Sequence, residues 1–168
     1  LALTLFRSTR RTVMTNGEPN GQLQGTMTFR YWLVPFEGAP YAARFTRLGQ
    51  QIAAGFHVMQ LRPKDIELHR TNATLPATAS LLQVDGDAIL TSLRAVDDAV
   101  EARLFNPTGH TALSRLQFNE LVPLHTVQPV NFESRPTGSE EMLQQGVYTL
   151  ELAPKQIVTL RFRKADTR

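Results

Sequence analysis

At 168 residues, with 42% hydrophobic and 20% charged side chains, the chain has the size and make-up of one globular domain that holds a core without covalent staples. It has no cysteine, which excludes disulfides, thiolate zinc sites and a cysteine nucleophile. A formal net charge of +3, carried largely by dispersed arginines, argues against a nucleic-acid face, and no run of apolar residues is long enough for a membrane helix.

Leu1–Arg7 alternates apolar and polar side chains and reads as a strand entered partway, so the chain is expected to be part of a longer protein. Residues 8–22, rich in Ser, Thr, Asn, Gly and Pro, read as a surface loop. A long strand is expected over Leu23–Phe36. It would carry Met27, Phe29, Tyr31 and Leu33 on one face and Thr26, Thr28, Arg30 and Trp32 on the other.

Glu37-Gly38-Ala39-Pro40 opens the one helix, around residues 40–54. Tyr41, Phe45, Leu48 and Ile52 form its apolar stripe, Arg44, Arg47, Gln50 and Gln51 lie outside it, and Gly55 closes it. Phe56–Leu61 reads as a strand broken by Arg62-Pro63, while residues 66–77 show no clear period. Thr78–Val84 is a further strand, and Asp85-Gly86-Asp87 a tight turn.

Residues 86–106 form the organising hairpin. Ile89, Thr91 and Leu93 oppose Ala88, Leu90 and Ser92. Beyond a turn at Asp97-Asp98, Val100, Ala102 and Leu104 alternate with Glu101, Arg103 and Phe105. Asn106-Pro107-Thr108-Gly109 ends it. In Thr111–Glu120, Leu113 is expected to face away from Leu116 only through a bulge. Residues 123–146 read as loop with a short strand at Val130–Phe132. Two final strands, with Tyr148, Leu150 and Leu152 and then Val158, Leu160 and Phe162 as apolar sets, flank a turn at Ala153–Gln156. The whole predicts a mainly β fold: a single antiparallel β-sandwich, Greek-key and supersandwich-like, with one amphipathic helix.

Chemistry-bearing patterns are sparse. His57, His69, His110 and His125 lack the paired spacing of a metal site. Asp97-Asp98, Glu140-Glu141 and Asp85/Asp87 read as turn carboxylates rather than a facing pair for sugar hydrolysis. No Gly-x-Ser-x-Gly or phosphate-binding loop occurs. Trp32 and Tyr31, with Tyr41, are the candidates for a sugar-stacking surface, against the plainer reading of core or interface packing.

Several segments, in order, resemble the C-terminal β-domain of glycoside hydrolase family 38, the α-mannosidases. They are Leu1–Ser8; Pro19 through Gly25 into Phe29-Arg30-Tyr31; Pro35–Gly38 before a helix; Ile89–Arg94 followed by Ala102–Pro107; and Leu152–Arg161. The bacterial branch with the mannosylglycerate hydrolases is most similar, and residues 8–18 depart from the family pattern. The resemblance implies a retaining, zinc-dependent α-mannosidase as parent, with zinc ligands and aspartate nucleophile in an N-terminal α/β domain. It assigns no catalytic, cofactor-binding or metal residue to these 168 positions. The expected partner is that catalytic domain, and through it a carbohydrate substrate; a homo-oligomer stays open. The expected location is the cytoplasm, with neither nucleic acid nor membrane as partner. The alternative is an autonomous carbohydrate-binding module using Trp32 and Tyr31.

Overall fold

The computed structural model describes residues 4–5, 25–60, 62, 64 and 78–164. The chain gathers into two compact units, Leu1–Gly38 and Ala39–Arg168.

Among the described residues, the larger unit carries one helix, α1 (Ala42–Ala54), and eight strands. These are β1 (Leu82–Gly86), β2 (Ile89–Val96), β3 (Ala99–Phe105), β4 (Ala112–Phe118), β5 (Thr126–Val130), β6 (Glu141–Met142), β7 (Val147–Leu152) and β8 (Ile157–Arg163). They form two antiparallel sheets, one of three strands ordered β1-β4-β7 and one of five ordered β2-β3-β8-β5-β6. The fold is a β-sandwich. Apart from β2–β3 and β5–β6, each successive connection passes from one sheet to the other.

Alternation explains which face each strand buries. Along β4, Ala112, Ser114, Leu116 and Phe118 turn inward and Leu113, Arg115 and Gln117 outward, with no register shift against β1 or β7. No bulge is needed to separate Leu113 from Leu116, because residues three apart in a strand already face opposite ways. The inner set meets Ala102 and Leu104 of β3, Val127 of β5, and Leu160 and Phe162 of β8 in one core. At its centre Phe118 and Phe162 pack edge to face, with ring centroids 4.7 Å apart. Truncating a fully buried Phe such as Phe162 costs about 3–5 kcal/mol.

The hairpin closes as expected at Asp97-Asp98, with Val96 opposite Ala99 and Asp97 at φ 53°. One register shift falls between Leu90 and Ser92, so Thr91 is an extra residue and the regular alternation expected through β2 is broken there. β1 begins at Leu82, four residues later than expected, and runs through Gly86. Gly86 has φ 91°, and a Cβ there would collide with the Leu113 carbonyl and approach Ser114 Oγ within 2.9 Å. The strand expected at Val130–Phe132 lies earlier, as β5, and Glu141–Met142 adds a short edge strand. The turn at Ala153–Gln156 carries the chain between sheets, since β7 and β8 belong to different ones.

Helix α1 ends where Gly55, at φ 61°, donates its N–H to the Gln51 carbonyl. Ala43 is buried, and Phe45, Leu48 and Ile52 are half-buried. Arg47 and Gln50, expected outside the stripe, have structural work: Arg47 Nη2 donates to Gly86 O at 2.7 Å and Gln50 Nε2 to Leu90 O at 3.0 Å. The helix thereby occupies backbone acceptors along the β1–β2 crossover and the β2 edge, which would otherwise invite another strand.

Two expected strands do not form among the described residues: residues 25–36 and residues 56–60 carry the alternating pattern but join no described sheet. Alternation prepares a segment to pair, but a strand forms only where a neighbour supplies the ladder. The strand expected at 1–7 and the loop at 8–22 lie almost wholly outside the described residues, as do residues 66–77.

Candidate functional site

Tyr31 and Trp32, the sugar-stacking candidates, lie in the Leu1–Gly38 unit with 58% and 59% of their surface exposed. Phe29, Leu33, Val34 and Phe36 beside them are exposed as well. Tyr41 is in the other unit, so its contacts are described separately from theirs.

The described histidines form no metal-binding group with other side chains. His57 is exposed after α1, His69 lies outside the described residues, and His110 and His125 precede β4 and β5. No cluster of three or more His, Asp or Glu side chains suited to a metal occurs among the described residues.

Tyr41, at the N-cap of α1, donates its phenolic hydrogen to Asp87 Oδ2, and His110 Nε2 lies 3.5 Å from the same oxygen. The two rings are near parallel, with centroids 6.5 Å apart. The hydrogen bond to Asp87 raises the Tyr41 phenol above its ordinary value, with burial and the Asp87 charge adding and Arg47 opposing. Among the described residues no serine or threonine hydroxyl is bonded to the His110 ring, and Thr108 Oγ1 touches His110 only at its backbone. The arrangement ties the start of α1 to the β1–β2 crossover.

A dense polar cluster surrounds Glu101, one of the set that alternates with Val100, Ala102 and Leu104. It is 1% exposed. Arg94 lies opposite it on β2 and Arg161 opposite it on β8. Arg161 Nε and Nη2 reach Oε1 at 3.0 and 2.8 Å, while Arg94 Nε and Nη2 reach Oε2 at 3.1 and 2.7 Å. Ser134 Oγ donates to Oε2 at 3.0 Å. Ser134 belongs to the tight loop 131–135 folded over this face, where Asn131 Oδ1 accepts the N–H groups of Glu133 and Arg135 at 2.9 Å each. Beside it, Arg103 lies 4.3 Å over the Phe132 ring.

Burial alone would raise the Glu101 pKa. The hydrogen bonds from Arg94, Arg161 and Ser134, with the charge of Arg161, overcome it and hold the carboxyl below its ordinary value. Both oxygens are fully engaged, so Glu101 has no lone pair placed to take a proton from a substrate. It is a structural anion. Its partnership with Arg94 was legible: the two lie equally far from the Asp97-Asp98 turn, and a two-residue hairpin pairs such positions. Arg161, some 60 residues away in sequence, carried no such signal.

No family model, curated protein or solved structure matches the chain. What it can do is therefore read from its surface.

Three clefts adjoin around β6, one against β5 and β8 of the five-stranded sheet and two against β7 and β4. One of about 470 Å³ is lined by His125, Glu140, Met142 and Arg163, and one of about 710 Å³ by Met142, Gln144, Gln145, Tyr148 and Thr149. A third of about 550 Å³ has Phe118, Leu124 and Leu143 in its wall beneath Gln117, Gln145 and His125. Each lies in the size range of small-ligand sites. Glu140, expected to be a solvated turn carboxylate, accepts from Thr126 Oγ1 at 2.8 Å and lies 3.3 Å from Arg163 Nη1. Burial and the nearby Glu141 raise the Tyr148 phenol above its ordinary value, which keeps it a hydrogen-bond donor at neutral pH. Sequence spacing gave no sign of this surface, because four separate connections build it.

Proposed function

We propose that this chain is the non-catalytic β-domain of an α-mannosidase of glycoside hydrolase family 38, bracing a zinc-dependent catalytic portion in the cytoplasm. The supporting resemblance falls on neighbouring elements: Ile89–Arg94 on β2, Ala102–Phe105 on β3, and Leu152–Arg161 from the end of β7 into β8. One observation carries the reading. Strand-patterned apolar segments lie bare, with Phe56 at 99%, Val58 at 92% and Met59 at 79% exposure in one unit, and Leu33 at 74% in the other. Large apolar side chains bared in each unit mark surface for another protein portion, and the α/β portion implied by the resemblance is the partner that fits.

Assay of the 168-residue chain with zinc on an aryl α-mannoside is expected to give no turnover. Adding the α/β portion is expected to restore hydrolysis and protect the amides of residues 56–60 from exchange. Turnover by the chain alone overturns the reading, as does a catalytic portion whose activity and stability ignore the chain.

The exposure of Tyr31 and Trp32 favours a second reading, an autonomous carbohydrate-binding module. It requires saturable binding of mannose oligosaccharides that Trp32→Ala abolishes.

A further inference from the structure

We propose that the three adjoining clefts form one extended groove that holds a neutral oligosaccharide, independently of Trp32 and Tyr31.

Continuity comes first. The 470 Å³ and 550 Å³ clefts share His125, the 470 Å³ and 710 Å³ clefts share Met142, and the 710 Å³ and 550 Å³ clefts share Gln145 and Val147. Three clefts with shared walls offer several neighbouring subsites, which suits a molecule of repeated units.

The lining selects the chemistry. Four carboxylates, including Glu140 and Glu141, stand against three permanent cations, Arg115, Arg163 and Lys164. Glu140 and Arg163 already neutralise each other. A polyanion would face carboxylates along the path, and a polycation would face arginines. Neither is favoured.

The remaining polar groups are amides and hydroxyls, which donate and accept together. Gln117 and Gln145 present side-chain amides with no partner among the described residues, and the Tyr148 phenol is held above its ordinary value by burial and Glu141. Leu143 and Val147 supply half-buried apolar wall, and Met142 is 71% exposed. A pyranose chain has this combination, hydroxyls at its ring edges and C–H surface on its faces. The proposal takes only its choice of sugar from the α-mannosidase reading; the groove's chemistry asks for a neutral saccharide of some kind.

The test titrates the ¹⁵N-labelled full chain with linear α-manno-oligosaccharides of two to five units, and with cello-oligosaccharides and heparin alongside. Expected are saturable shifts at Gln117, Gln144, Gln145 and Thr149, with affinity that rises with oligosaccharide length. Gln117→Ala and Gln145→Ala, both at exposed positions, should each weaken binding about five- to tenfold, the loss of one net hydrogen bond. Trp32→Ala should leave it unchanged.

Shifts confined to Tyr31 and Trp32, affinity that ignores length, or tighter binding of heparin each overturn the proposal. So does the absence of saturable binding to either saccharide series. If cello-oligosaccharides bind through these residues and manno-oligosaccharides do not, the groove stands and the α-mannosidase reading falls. Should no saccharide bind while the catalytic portion still recruits the chain, the groove falls and that reading stands.

Discussion

Glu101 and Arg161 face each other in register across β3 and β8, and two guanidinium nitrogens, Nε and Nη2, reach a single carboxylate oxygen at 3.0 and 2.8 Å. Arg94 treats the other oxygen in the same way from β2. One buried anion thus ties three adjacent strands of the five-stranded sheet, and Ser134 brings the loop after β5 down onto the same group.

Removing the shared anion leaves Arg161, with only 13% of its side chain exposed, facing a void beside a second guanidinium. Breaking a buried pair in this way costs about 3–5 kcal/mol. Glu101→Ala should therefore lower the thermal midpoint by roughly 6–20 °C for a chain of this length. Arg94→Ala should cost much less, because Arg94 is 45% exposed and water replaces it. Scanning calorimetry of the two variants decides the point, and equal losses would contradict the assignment of Arg161 as the dominant partner.

The Glu101 carboxyl titrates below its ordinary value in the folded chain, so below neutrality the unfolded chain binds its proton first. Its contribution is complete above the unfolded carboxylate pKa of about 4.3 and is lost as pH falls through the lower folded value. Urea midpoints taken downward from pH 6 should fall less steeply in Glu101→Gln than in the native chain. A parallel decline in both would show that other carboxylates govern acid unfolding.

Asn106 is fully buried where β3 leaves its sheet. Its Nδ2 reaches the carbonyls of His110, Leu152 and Ala153 at 2.8, 3.0 and 3.0 Å, and its Oδ1 accepts from the N–H and hydroxyl of Thr108. The amide thus joins the β3–β4 crossover to the end of β7. Asn106→Ala strands buried donors and acceptors at once, and the expected loss is about 2–4 kcal/mol by denaturant unfolding. Asn106→Asp should be as damaging, because a carboxylate has no hydrogen to offer the three carbonyls.

Gly86 ends β1 at φ 91° with the Leu113 carbonyl and Ser114 Oγ against the place a Cβ would take. Gly86→Ala adds strain and a clash together, and should cost more than about 1 kcal/mol. Gly109→Ala, where nothing lies within 4 Å of a new Cβ, is the matched control and should shift the urea midpoint little.

Before any tertiary contact is known, the order of the residues already sets the apolar sets of β7 and β8, the turn at Asp97-Asp98 and the span of α1 closed by Gly55. These depend on side-chain alternation and backbone preference, which act within a few residues. The sheet each strand joins, the burial of Glu101 between two arginines and the groove beside β7 were decided by folding alone. So was the bareness of residues 25–36 and 56–60, whose alternation found no ladder. Pairing and desolvation are properties of two surfaces brought together, and one stretch of sequence records only its own side of that meeting.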